Sequence, residues 1–265
     1  MSVWKQSKNN VFVAAHRGFS ERYPENTMTA FREAIALGVD QIETDVRITG
    51  DGQLVLIHDE ALDRTTNGSG LVREHTLSQI RSLSAGLWKG EDFAGERVPL
   101  FEELLDMVKD LPAMTLDIEL KEYPTAGREA IAFEVADRVI AMLDKASLTD
   151  RCVINTFSAR LHEYLYKTYG GRLKHHVFYP LRHMGECTLD PYSYGYCCCM
   201  FGQTSGMAEP EEFEAMRQKG VRTWAGAFVK DETTLDMALA CGAELITCNN
   251  PDVILDLLRK KGVHR

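Results

Sequence analysis

The clearest chemical potential in this chain lies in Glu43 and Asp45, within the run Gln41-Ile42-Glu43-Thr44-Asp45-Val46-Arg47. Ile42, Thr44, Val46 and Ile48 recur with period two, which predicts a β-strand. The two acids then project from one side of that strand. Neighbouring carboxylates repel each other unless a cation or a proton lies between them. Oxygen donors of this kind suit a hard ion such as Mg²⁺ or Ca²⁺. A solvent-facing edge strand would carry the same pattern, so the rest of the chain must decide.

Other predicted strand ends carry matching chemistry. His16-Arg17 close a compact apolar run, Val11 to Ala15, and His58-Asp59 follow a short strand, Leu54 to Ile57. Asp117, Glu119 and Lys121 alternate along and just past Met114 to Leu120, repeating the two-residue spacing of the acid pair. Three carboxylates, Glu43, Asp45 and Glu119, favour Ca²⁺ or Mg²⁺ over zinc, which prefers His and Cys. Arg17 offers a fork for phosphate oxygens and Lys121 a point charge. His16 and His58 are a candidate general base and general acid, in either order. A metal, two cationic donors and two proton carriers make a phosphodiester-cleaving set. Each residue alone has an ordinary structural reading, but strand interiors rarely hold so many charges. His162, His175, His176, His183 and His264 are read as structural, without matching partners.

These residues need a scaffold that brings strand ends together. Eight main strands are expected from Val11 to Cys248, nearly all separated by helices. Helix signals include Asn26 or Thr27 as a cap, Gly38 after the first helix, Pro99 before the next and Ser158 before a later one. Eight strands in 265 residues predict an α/β fold, a TIM (β/α)₈ barrel. No Gly-rich turn follows the first strand, which argues against an open doubly wound sheet. Residues of about 59–98 read as a small insertion after the second strand region, within one domain spanning 1–265. In such a barrel, chemistry gathers where strands run out into loops.

The composition, 45% hydrophobic and 26% charged, is that of a soluble globular protein. A formal charge of −9 without a basic stripe argues against nucleic acid, though not against an anionic small molecule. No apolar run is long enough for an integral membrane segment, and the polar start does not read as a signal peptide. Seven cysteines without a CxxC pair point to reduced thiols and a cytoplasmic protein. Cys197-Cys198-Cys199 lie on one predicted strand with alternating faces, as buried thiols rather than a soft-metal site.

In order along the chain, several runs resemble the glycerophosphodiester phosphodiesterases. They are Ala15-His16-Arg17-Gly18, Pro24-Glu25-Asn26-Thr27, Ile42-Glu43-Thr44-Asp45-Val46, Asp51-Gly52, and His58-Asp59 with Arg64-Thr65-Thr66. Pro99-Leu100-Phe101-Glu102-Glu103-Leu104 and Asp117-Ile118-Glu119-Leu120-Lys121 continue the series. The resemblance implies a divalent cation on Glu43, Asp45 and Glu119, catalysis by His16 and His58, and phosphate held by Arg17 and Lys121. It further implies Trp224 on the pocket wall and a small-molecule glycerophosphodiester substrate cleaved to glycerol 3-phosphate and an alcohol. The attacking group would be the glycerol 2-hydroxyl or water. A homo-oligomer is compatible with this reading. The rivals are a phosphodiester lyase that stops at a cyclic phosphate and a barrel that binds headgroups without cleaving them. Two segments depart from the family pattern, Ala225-Gly226-Ala227 and Cys248-Asn249-Asn250-Pro251. Both are expected on the pocket wall, where they would bear on substrate choice.

Overall fold

The computed structural model describes Trp4 and residues 10–264. Strand β1 (Phe12–His16) leads through α1 (Met28–Leu37) to β2 (Gln41–Ile48) and β3 (Leu54–Leu56). An excursion carrying α2 (Leu77–Ser82) and then α3 (Phe101–Val108) precede β4 (Thr115–Leu120). The chain continues with α4 (Glu129–Lys145), β5 (Cys152–Asn155), α5 (Ala159–Tyr169), β6 (His175–Tyr179) and β7 (Gly195–Met200). It finishes with α6 (Pro210–Gln218), β8 (Arg222–Ala225), α7 (Glu232–Ala240), β9 (Leu245–Cys248) and α8 (Pro251–Lys260).

Eight strands pair in the order β1-β9-β8-β7-β6-β5-β4-β2, and a further β1–β2 pairing closes the ring. The ring pairings are all parallel. This is the expected (β/α)₈ barrel. Strand β3 folds back antiparallel on β2, pairing Arg47 with Val55, and so returns the chain to the rim where His58 emerges. Every residue of β2 is buried, so Glu43 and Asp45 are not on a solvent-facing edge.

Local signals set these elements. The Thr27 side chain accepts from the Ala30 amide to start α1, and Gly38 ends it in the left-handed conformation. The Ser158 hydroxyl does the same for the Leu161 amide at the start of α5. Outward strand residues pack on the helices; Ile42, Leu116, Ile154 and Ile246 are among them. Inside the barrel, Phe12, Ala14, Val153, Cys197, Trp224 and Leu245 form a separate plug with Trp4. Ala14, Val153 and Cys197 of the plug each lie two positions before a rim residue (His16, Asn155 and Cys199), so the plug sits beneath the rim. The excursion has its own apolar cluster, in which Val55, Ile57, Leu62, Val72, Ile80, Ala85 and Val98 pack together.

All seven cysteines are unpaired thiols. Alternation sends Cys197 into the plug and Cys198 into the outer core, while Cys199 reaches the rim cavity.

Candidate active site

At the end of β1 the backbone turns sharply, with Arg17 at φ 59° and Gly18 at φ 79°. A Cβ on Gly18 would lie 2.7 Å from the Ala30 carbonyl carbon, so only glycine fits against α1 there. The turn ties Arg17 to the acid pair. Its backbone amide donates to Glu43 Oε2 at 2.9 Å, and its Nη1 donates to Glu25 Oε1 at 2.8 Å. Its Nε lies 3.3 Å from Asp45 Oδ2.

Glu43, Asp45 and Glu119 converge from the neighbouring strands β2 and β4, where Asp45 is the register partner of Glu119. One oxygen from each lies within 4.8 Å of the others, and all three residues are buried. Asp45 accepts from Asn26 Nδ2 at 2.8 Å and faces Lys121 Nζ at 3.2 Å. Lys121 also pairs with Glu119 at 2.5 Å. The cluster divides electrostatically. Asp45 is fully desolvated, yet Lys121 and Arg17 hold its carboxyl well below the usual range. Burial, then the charge of Asp45, pushes Glu43 well above it. Burial raises Glu119 to about 7, with Asp45 repelling it and Lys121 opposing the shift. The residual repulsion is what a bound divalent cation would relieve, and the donors are all carboxylate oxygens, as Ca²⁺ and Mg²⁺ prefer. The residues fit such an ion.

His16 Nδ1 lies 2.6 Å from Asn249 Oδ1 on the far side of the barrel seam. With the amide oriented so, its oxygen only accepts, so His16 carries hydrogen on Nδ1 and a lone pair on Nε2. That Nε2 is 3.9 Å from Glu43 Oε2. Burial, reinforced by Arg17, lowers His16 to about 4, so the ring is neutral near neutral pH. His58 Nδ1 instead faces the Asp59 carboxylate at 2.6 Å. Burial also lowers His58, with Asp45 opposing and Lys121 and Arg17 reinforcing the shift. Arg64 donates to Asp59 at 2.6 Å and to Glu25 at 2.8 Å. A continuous ionic chain thus runs His58–Asp59–Arg64–Glu25–Arg17–Asp45–Lys121–Glu119.

A cavity of about 370 Å³ opens beside this cluster. His16, Glu43 and Glu119 line it together with Phe157, Phe178, Phe201 and Phe228, and Asp117, Asn155 and His176 are also among its walls. The phenylalanine rings lie against one another, Phe157 on Phe178 at 3.8 Å and Phe178 with Phe201 at 5.7 Å. Gly226 and Ala227 line it as expected from the sequence departures.

Three expectations need correction. Trp224 does not line the cavity: it is fully buried in the plug, its ring 4.8 Å from that of His176. It points inward as a wall residue would, but one layer too deep. Asn249 belongs not to the wall but to His16. His176 is not without a partner, since it holds Asp117 at 2.6 Å and lines the cavity. His162 and His175 also pair, Nδ1 to Nδ1 at 3.0 Å, but between β6 and α5 outside the barrel. Of the expected site residues, the structure joins His16, Arg17, Glu43, Asp45, Glu119 and Lys121 directly and His58 through the ionic chain. Glu25, Asn26, Asp59 and Arg64 fall inside the quoted motifs and could have been assigned from their charge and position. Asn155 and Asn249 are uncharged, and nothing in the sequence ties either to a particular partner.

Comparison with known proteins agrees with this geometry. The sequence profile of the Glycerophosphoryl diester phosphodiesterase family matches residues 16–190. A glycerophosphodiester phosphodiesterase of Caldanaerobacter subterraneus subsp. tengcongensis is 32% identical, over 94% of this chain and 98% of the relative. The crystal structure of a glycerophosphodiester phosphodiesterase from Agrobacterium tumefaciens superposes with TM-score 0.74 at 24% identity, covering 94% of this chain and 99% of that one. An Oleispira antarctica phosphodiesterase, solved in complex with the product sn-glycerol-3-phosphate, gives TM-score 0.79 at 22% identity over 94% and 96% of the two chains. At these identities the two structures speak to the fold alone; the full-length relative and the matched profile, falling on the acid cluster and its histidines, make this chain a member of the glycerophosphoryl diester phosphodiesterase family.

Proposed function

We propose that this chain hydrolyses glycerophosphodiesters to glycerol 3-phosphate and an alcohol. The observation that carries the reading is the buried Glu43–Asp45–Glu119 triad, with Arg17, Lys121 and His16 in contact and His58 joined by ion pairs. The triad would hold one divalent cation, Ca²⁺ or Mg²⁺. When bound, the cation supplies neutralising charge beside the phosphoryl oxygens.

The chain's own groups divide the remaining work. Arg17 and Lys121 hold and orient the phosphate, each preset by ion pairs to buried carboxylates. His16 is the better base: its Nδ1 partner is a neutral amide, which gives an imidazolium little support, and its Nε2 lone pair is free to take a proton. His58 is the better acid, because the Asp59 carboxylate favours its charged form. It would deliver its proton to the leaving alkoxide. The excursion supplies Asp59 and Arg64, so it acts with the barrel as one domain. Among the described residues no helix is long and apolar enough to cross a membrane, and seven free thiols suit a reducing compartment such as the cytoplasm.

The test is glycerol 3-phosphate release from a panel of glycerophosphodiesters, with Ca²⁺, with Mg²⁺ and with excess chelator. Release that stops with chelator and returns with metal is expected. His16→Ala and His58→Ala should each lower turnover by about 10²–10⁴-fold with melting unchanged. A cyclic phosphate as sole product would make the protein a lyase. No release from folded, metal-loaded protein would overturn the reading.

A further inference from the structure

Asp117 and His176 form a buried pair on the cavity wall that no step above uses. Asp117 Oδ2 faces His176 Nδ1 at 2.6 Å, with side-chain exposures of 1% and 5%. A carboxylate only accepts, so Nδ1 carries a ring hydrogen, which leaves Nε2 as the ring's free hydrogen-bonding atom, an acceptor in the neutral ring and a donor in the charged one. That Nε2 is buried and has no hydrogen-bond partner. The same is true of Asn155 Oδ1 on the adjoining strand, where Asn155 and His176 are register partners. Both residues line the cavity that also touches His16, Glu43 and Glu119. Buried polar atoms without partners carry an uncompensated desolvation cost, which a hydrogen-bonding ligand would remove. Two positions further along the chain from Asn155 and His176, Phe157 and Phe178 present stacked rings that suit carbon-bound hydrogens, the Phe178 ring 5.3 Å from that of His176. Polar atoms with aromatic surface beside them match a hydroxylated carbon chain.

We propose that His176 Nε2 and Asn155 Oδ1 exchange hydrogen bonds with hydroxyl groups of the polyol esterified to the phosphate, with Asp117 as a positioning residue that holds the ring. The inference rests on the phosphodiesterase reading for the phosphate's place at the acid cluster. Two moieties could bring the hydroxyl, the phosphorylated glycerol or the leaving alcohol. Both offer the same chemistry.

Two arms separate these sources. In the first, calorimetry on metal-loaded protein compares glycerol 3-phosphate with propyl phosphate, which lacks both hydroxyls. The wild type should prefer the first by about tenfold or more, the worth of one good hydrogen bond. In the second, KM is compared for diesters whose leaving alcohol is glycerol or propanol. His176→Ala and Asn155→Ala should bring the ratio close to one in whichever arm applies. His176→Gln, which keeps an acceptor, should restore part of it and provides a second readout should the alanine variant fold poorly. Ratios unchanged in both arms, in folded His176→Ala or His176→Gln and in Asn155→Ala, overturn the proposal while leaving the phosphodiesterase reading intact. A wild type that binds neither phosphate and releases no product overturns both.

Discussion

Substituting Asn249 by aspartate should change the acid limb of activity more than the plateau. The variant keeps the side-chain shape and places a full negative charge where an amide oxygen now sits, 2.6 Å from His16 Nδ1. With charge centres roughly 4 Å apart and an effective dielectric of about 20, the attraction to an imidazolium is about 4 kcal/mol. That corresponds to about 3 pKa units, of which burial of the new carboxylate removes about 1–2. His16, now at about 4, is therefore expected to rise into the range of roughly 5–6. A base works in its neutral form, so kcat/KM should begin to fall at a correspondingly higher pH as the solution is acidified. The same shift has a stability consequence. A histidine depressed from 6.5 to about 4 favours the fold above its unfolded pKa, and that contribution is lost as pH falls towards 4. Asn249→Asp should narrow that window and make the fold more acid-resistant. The assays are the pH profile of kcat/KM and an NMR titration of the His16 ring. An acid limb and a ring titration that coincide with wild type would refute the assignment of Asn249 as the group that tunes His16.

Three further outcomes are expected. Glu43→Gln should weaken calorimetric affinity for Ca²⁺ or Mg²⁺ by at least the roughly 10–100-fold that loss of an outer-shell partner costs; unchanged affinity would remove Glu43 from the ligand set. Glu119 is raised from 4.5 to about 7, so the metal-free protein loses stability as pH rises through that window, and a cation competes with the proton. The melting-temperature gain on adding metal should therefore grow with pH across it, and a flat response would contradict the coupling. Trp224→Ala should cost about 3–5 kcal/mol in denaturant unfolding because it empties the plug; a large rise in KM without loss of stability would instead return Trp224 to the pocket wall.

The barrel and the acid cluster were legible because their signals are local. Glu43 with Asp45, and Glu119 with Lys121, announce a shared face by spacing alone, and alternation of strand and helix patterns gave the ring. What stayed hidden depends on pairing across long separations or on height within the barrel. His176 meets Asp117 across 59 positions, and a register shift between His175 and His176 obscures which of the two faces inward. The family resemblance implies an inward-facing Trp224 but carries no information on the layer at which it lies. Either Asn26 or Thr27 suits a helix cap from sequence; Thr27 takes that role, while Asn26, at φ 55°, donates to Asp45 and accepts from Thr44.

The seam of the barrel divides the site in time as well as in space. Arg17, all three acidic residues of the triad and Lys121 lie within the segment from β1 to just past β4, whereas the anchor of His16 arrives 233 positions after it, beyond β9. During synthesis from the N-terminus, a nascent chain therefore holds every proposed cation ligand long before β9 exists to pair with β1. Ion capture could precede ring closure, but an oriented His16 could not. Turnover thus reports a completed ring, which uptake of the ion by itself does not.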